Sequence, residues 1–231
     1  MHNSNASQLI QTPPAERPVF EAGLFVALFS LPALALAFRL TSGGALGTGM
    51  TLMREASMFA MVGVLLWLVR VRERQSLASI GLSFNAVGKS LAWSLVAMLF
   101  CAVGFAIAMA VVEAFGLADS SMGRSAPLPL WVMAVVVARS AIAEEIFYRG
   151  YAIDRLARFS GSPALAVLLP LAIFTLAHYP QGAAMMVLVF GGGIALSAFY
   201  LWRRDTLANI VAHFVINAVP NLLLPLVGQS A

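Results

Sequence analysis

Residues 143–150, Ala143-Glu144-Glu145-Ile146-Phe147-Tyr148-Arg149-Gly150, set two adjacent carboxylates and an arginine inside an apolar run that extends over residues 130–153. Without those charges the run is long enough to cross a bilayer, for which a helix needs about 20 apolar residues. An ionisable side chain at membrane depth costs roughly 2.5–3.5 kcal/mol even on mild insertion scales, so such groups sit where they pair with one another and serve chemistry or transport. What these three residues pair with, and to what end, is the question the rest of the chain has to answer.

The chain is 61% apolar and only 10% charged over 231 residues. A soluble domain carries about 25% charged residues, so composition alone makes this an integral, multi-pass membrane protein. A formal net charge of +4 would raise the question of nucleic acid in a soluble protein. Here the basic residues cluster in short loops between apolar segments, which is the pattern of topogenic charge, and no nucleic-acid partner is expected. The single cysteine, Cys101, lies in an apolar run, which excludes an internal disulfide and reads as packing.

Charged and Gly/Pro-rich breaks divide the chain into an all-α, polytopic transmembrane helical bundle of about seven spans, expected near residues 20–38, 56–69, 91–115, 130–153, 163–177, 183–202 and 207–227. The second and fifth are short. Residues 33–37, Ala-Leu-Ala-Leu-Ala, resemble a signal cleavage site, but the polar lead-in lacks a strongly basic region and the segment is read as a helix. Residues 1–18, with Pro13, Pro14 and Pro18, read as a disordered N-terminal tail.

Orientation follows from Lys and Arg. Arg70, Arg72, Arg74 and Lys89 lie in the second inter-span loop, Arg155 and Arg158 in the fourth, and Arg203 and Arg204 in the sixth. Alternate loops are therefore basic, which puts them and the N-terminus in the cytoplasm and the C-terminus outside. Arg39 and Arg54, in the first loop, run against this pattern. Trp67, Trp93, Trp131 and Trp202 all fall near span ends, where indole rings favour the interface.

Within the spans, Glu145 and Arg149 are four residues apart and share a helical face, whereas Glu144 lies about 100° around and has no partner in its own turn. A second apolar run holds Phe174-Thr175-Leu176-Ala177-His178, and a third His213-Phe214-Val215-Ile216-Asn217, so two of the three histidines are intramembrane. Each element alone reads as a packing clamp or an interhelical bond. Together they offer a carboxylate, two imidazoles and an amide on three spans, the set that water activation requires. Other protease chemistries fit poorly: there is no Gly-x-Gly-Asp, and Ser197, near Gly191-Gly192-Gly193, lacks a Gly-x-Ser-x-Gly setting. That glycine run reads as close helix approach, and Arg139 as a snorkelling or pairing residue.

The three elements Glu144-Glu145-x-x-x-Arg149, Phe174-x-x-x-His178 and His213-x-x-x-Asn217, in this order on successive hydrophobic segments, resemble the CPBP (Abi) family of intramembrane proteases. That family includes the eukaryotic CAAX prenyl endopeptidase and bacterial proteins linked to bacteriocin processing and self-immunity. The resemblance covers roughly residues 130–226. It implies residues 19–126 as N-terminal transmembrane helices, 127–227 as a CPBP/Abi-like catalytic core with the active site between the last four spans, and 228–231 as a tail. It further implies that Glu144 and His178 activate the hydrolytic water, that His213 and Asn217 hold water or metal and stabilise the oxyanion, and that Glu145 and Arg149 support that geometry. The expected activity is that of a CAAX-type intramembrane (metallo)endopeptidase cutting a membrane-associated peptide or protein at the bilayer, in the plasma membrane if the source is bacterial. Glu144, His178 and His213 would suit zinc or another divalent metal, although a glutamate–histidine pair activates water without one. The competing class is a non-proteolytic immunity or scaffold protein, or a small transporter using the same polar site.

One difficulty is geometric. A fifth span entered at Pro163 puts His178 ~22 Å along its helix, whereas His213 is only ~10 Å into the seventh. The fifth span must then start later, tilt strongly, or turn back mid-membrane at Tyr179-Pro180-Gln181-Gly182.

Overall fold

The computed structural model describes residues 17–43, 46–117 and 128–228, and these form helices joined by short turns. The expected tails, 1–18 and 228–231, lie outside the described residues apart from Arg17 and Pro18, which begin the first helix, and Gly228, which ends the last. The elements are α1 (Arg17–Thr41), α2 (Thr48–Trp67) with a π-helical turn Leu68–Arg72, and α3 (Val87–Ala114). Next comes one unbroken helix made of α4 (Leu130–Glu144), a π-helical stretch Glu145–Ile153 and α5 (Asp154–Ser160). Then follow α6 (Pro163–Leu176), α7 (Ala183–Arg203) and α8 (Thr206–Ala218), the last continued through a π turn, Val219–Leu223, into α9 (Leu224–Gly228).

Among the described residues, five helical segments are long and apolar enough to cross a membrane: Val19–Thr41, Thr48–Arg72, Val87–Ala114, Ala183–Arg203 and Thr206–Leu226. The protein is a polytopic helical membrane protein, and the expected count of seven spans is not reached on this criterion. The segment expected at 163–177 is α6, whose 14 residues reach only about 21 Å against a hydrocarbon thickness of about 30 Å. The segment expected at 130–153 carries Arg139, Glu144, Glu145 and Arg149, and every residue from Glu145 to Ile153 is buried by neighbouring helices. The second span starts at Thr48, not at 56, because Arg54 and Glu55 belong to the helix and not to a loop.

The 130–160 helix is the axis of the fold. Leu24, Leu28 and Leu31 of α1, Leu65 of α2 and Phe174 of α6 form one buried cluster with its Phe147, Tyr148 and Tyr151. A second cluster joins α3, α7 and α8 through Ala97, Cys101, Leu196, Phe199 and Ala212, which confirms Cys101 as a packing residue. Here α3 and α7 touch backbone to backbone: a Cβ on Gly104 would lie 2.7 Å from the Gly191 carbonyl, and one on Gly191 2.7 Å from that of Gly104. Small residues permit such approach, and dispersion at close range replaces the hydrophobic drive that lipid cannot supply. The outward faces carry Phe25, Leu40, Leu95, Leu99, Ile107 and Leu168.

One end of the bundle is closed by charge. Arg155 reaches Glu73 at 2.8 Å and Asp154 at 2.5 Å, while Arg204 also pairs with Asp154 and the Tyr151 hydroxyl donates to Glu73. The turn after α2, the end of the central helix and the α7–α8 link thus meet at a single end. The start of α1 is there too, since the Arg155 guanidinium lies 5.7 Å from the Phe20 ring centroid.

Candidate active site

The Glu145 carboxylate is wholly buried and is the hub of the polar interior. Its Oε1 accepts from Arg149 Nη1 at 2.8 Å and from His213 Nδ1 at 2.8 Å, and its Oε2 accepts from Asn209 Nδ2 at 3.0 Å. Three donors, two of them on α8, tie the central helix to the last one. The Glu145–Arg149 pair expected from their spacing is present, at the start of the π-helical stretch. Arg149 is held from the other side by the ring of Phe174, 4.6 Å from its guanidinium carbon.

With Nδ1–H committed to a carboxylate, the orientation of His213 is fixed and its Nε2 faces Glu144, 3.9 Å from Oε2. Glu144 is more accessible than Glu145, with 13% of its side chain exposed against none. Its partner lies outside its own turn: Arg139 Nη1 is 3.2 Å from its Oε1, five residues back along the helix. Arg139 is therefore a pairing residue. Asn217, one turn beyond His213, donates from Nδ2 to Ser140 Oγ at 3.5 Å, the limit of a hydrogen bond.

The depth difficulty resolves through where α8 begins. Thr206 starts α8 beside Gly150, its hydroxyl donating to the Ile80 carbonyl, and a Cβ on Gly150 would fall 3.1 Å from Thr206 Oγ1. This start lies ten residues, roughly 15 Å, up the central helix from Ser160, where that helix ends and the chain turns into α6. The final helix therefore needs only two turns to bring Asn209 and His213 level with Glu145. On α6, Phe174 packs against Tyr148 at 5.1 Å and beneath Arg149, so His178, one antiparallel turn further, comes to the level of Glu144 and Glu145. The turn foreseen at Tyr179-Pro180-Gln181-Gly182 does reverse the chain, with Gly182 at φ +94°, a conformation that glycine alone adopts without strain.

The His178 Nδ1 lies 2.8 Å from the Phe174 carbonyl, which can only accept, so Nδ1 carries the proton and Nε2 presents a lone pair. Phe174 also packs edge-on against this imidazole at 4.9 Å, which accounts for the Phe174-x-x-x-His178 spacing.

Among the described residues no three His, Cys, Asp or Glu side chains are gathered as a metal-binding group. In the suggested set Glu144, His178 and His213, one oxygen of Glu144 is taken by Arg139, and His213 Nδ1 is taken by Glu145. These contacts leave Glu144 Oε2, His178 Nε2 and His213 Nε2 for a ligand, and a ring N–H given to a carboxylate or carbonyl is the usual setting of a metal-ligating histidine, so these three residues are the ones that would hold a metal.

Asn209, Arg139 and Glu55 belong to this polar assembly without having been singled out as site residues. Asn209 had a legible signal, standing four residues before His213 on the same face. Glu55 had none, because it looked like the edge of a loop. It is 1% exposed, and its Oε2 accepts from Arg139 Nε at 2.5 Å.

Comparison with curated proteins and with solved structures gave no match. A protein-family model, type II CAAX prenyl endopeptidase Rce1-like, matches residues 126–219, a range that holds Glu144, Glu145, Arg149, His178, His213 and Asn217. Residues 126–219 thus form a domain of the Rce1-like type II CAAX prenyl endopeptidase family, a family of membrane peptidases.

Proposed function

We propose that the protein is an intramembrane endopeptidase in which Glu144 is the general base for water attack on a peptide bond of a membrane-associated substrate. The observation that carries this reading is the three-donor clamp on Glu145, which fixes His213 with its Nε2 turned toward Glu144. Glu145 and Arg149 position the site and stay out of the bond-making steps.

In this reading Glu144 Oε2 takes a proton from water while His178 Nε2 accepts its second O–H, and the water oxygen bonds to the scissile carbonyl carbon. Negative charge moves to the carbonyl oxygen. It is met by the Asn217 amide, whose weak bond to Ser140 is readily exchanged, and by His213, which the Glu145 carboxylate orients. Glu144 then returns its proton to the amide nitrogen as the C–N bond breaks, releasing an amine and a carboxylic acid. A divalent metal held by Glu144, His178 and His213 would supply Lewis acidity to the same water.

The test is cleavage of a library of acyl-anchored fluorogenic peptides by the full chain in liposomes. Glu144→Gln keeps shape but cannot take a proton, so turnover should fall about 10²–10⁴-fold with the melting temperature retained. His178→Ala should lose activity likewise, and the effect of chelator, with or without rescue by zinc, decides whether a metal takes part. Equal cleavage by wild type and Glu144→Gln would sink the assignment. A partner-binding phenotype that survives the substitution would favour a scaffold.

A further inference from the structure

We propose that Glu55 and Arg139 are positioning residues for the Glu144 carboxylate, so that α2, outside the 126–219 domain, completes the reaction site. The inference rests on the reading of Glu144 as the base. One guanidinium bridges two carboxylates: Arg139 Nε lies 2.5 Å from Glu55 Oε2 and Nη1 3.2 Å from Glu144 Oε1. The other oxygen of Glu55 is held by Arg54 at 2.6 Å, so the four charges balance, with Glu55 nearly fully buried.

The division of contacts is what matters. Arg139 takes only Oε1 of Glu144 and leaves Oε2 facing His213, the side on which the water must bind. An arginine beside a carboxylate ordinarily engages both oxygens. Glu55, by holding Nε, fixes the guanidinium with Nη1 on Oε1 of Glu144, so Arg139 steadies Glu144 without capping the oxygen that takes the proton. Without Glu55 the guanidinium is free to swing onto both oxygens and block the base, and misplacement of about 1 Å at a reacting group costs on the order of 10²-fold in rate.

The experiment measures kcat, KM and melting temperature for the best-cleaved anchored peptide, using full-length wild type, Glu55→Gln, Glu144→Gln and the double variant in liposomes. Glu55→Gln should lower kcat roughly 10- to 100-fold with KM within about twofold. In the Glu144→Gln background it should cause no further loss, because it acts through that carboxylate. An unchanged kcat, or the same fold-loss in both backgrounds, overturns the proposal while leaving Glu144 as the base. Wild-type turnover by Glu144→Gln overturns the functional reading and this inference with it. If Glu55→Gln does not fold, Arg139→Lys serves instead. Its ammonium keeps the charge but cannot span both carboxylates, so kcat should fall with KM retained, again only when Glu144 is present, and an unchanged kcat overturns the proposal.

Discussion

The imidazole of His213 donates from Nδ1 to Glu145 Oε1 at 2.8 Å, a bond between residues 68 positions apart that fixes the last long helix on the central one. Its existence makes the two adjacent carboxylates unequal. Glu145 accepts from three protein donors and is wholly buried, whereas Glu144 is partly exposed and its Oε2 faces His213 at 3.9 Å without a hydrogen bond between them.

Glu145→Gln should therefore act on stability first. The substitution leaves Arg149, which is 2% exposed, without a full counter-charge, and removing one partner of a buried pair costs about 3–5 kcal/mol. Thermal unfolding in detergent should show a marked fall in melting temperature for Glu145→Gln and almost none for Glu144→Gln. Equal melting temperatures would mean that the Glu145 hub is not a structural tie.

Asn209 offers a finer probe of the same hub. Its Nδ2 donates both to Glu145 and to the Leu196 carbonyl, at 3.0 Å each, while its Oδ1 is buried with no partner. Asn209→Leu keeps the branched shape but removes a donor to the buried Glu145 carboxylate and a second bond to the Leu196 carbonyl, for an expected loss of about 1–3 kcal/mol. Asn209→Asp should be worse, because it sets a second carboxylate against Glu145. A melting series that ranks wild type above Leu above Asp would bear this out, and an Asp variant as stable as wild type would contradict it.

The long apolar runs made most of the helices legible, because at membrane depth a backbone has to satisfy its own hydrogen bonds. The start of α2 was not legible. Arg54 and Glu55 look like loop residues until Glu55 is seen to pair with both Arg54 and Arg139, the latter 84 positions away. Nor did any periodicity announce the π-helical stretch Glu145–Ile153. The position of α8 along the central helix was hidden for a related reason. It depends on Gly150 admitting Thr206 and the Ile80 carbonyl at close range, a contact that hydropathy cannot register. The site motifs were readable because charge and imidazole stand out in apolar sequence, and Asn209 could have been read by its spacing from His213.

Close helix contact gives a prediction far from the site. Gly191→Ala would bring its Cβ within 2.7 Å of the Gly104 carbonyl, a backbone atom that cannot yield without separating α3 from α7. A loss of about 1–3 kcal/mol is expected, as for other overpacked positions. Gly88→Ala, at a helical position with nothing within 4 Å, should be neutral or stabilising by up to about 1 kcal/mol. Chemical denaturation of the two variants side by side decides between crowding and a general intolerance of substitution.

Topology is the remaining prediction. Arg155, Arg204 and Glu73 interlock at one end of the bundle, so the three basic loops lie on the same side as the start of α1. Arg54 no longer counts against that assignment, since it lies within α2 and pairs with Glu55. By the bias of basic loops toward the cytoplasm we propose that this end is cytoplasmic. From there α8 and α9 lead away, which would leave the C-terminus on the opposite side. Reporter fusions in the loop between Arg72 and Lys89 should then read as cytoplasmic, and a fusion after Gln229 as external. The reverse pair of readings would invert the molecule. Two cytoplasmic readings would mean that the final helix does not cross, and would separate the level of His213 from the depth at which a bilayer-embedded substrate could reach it.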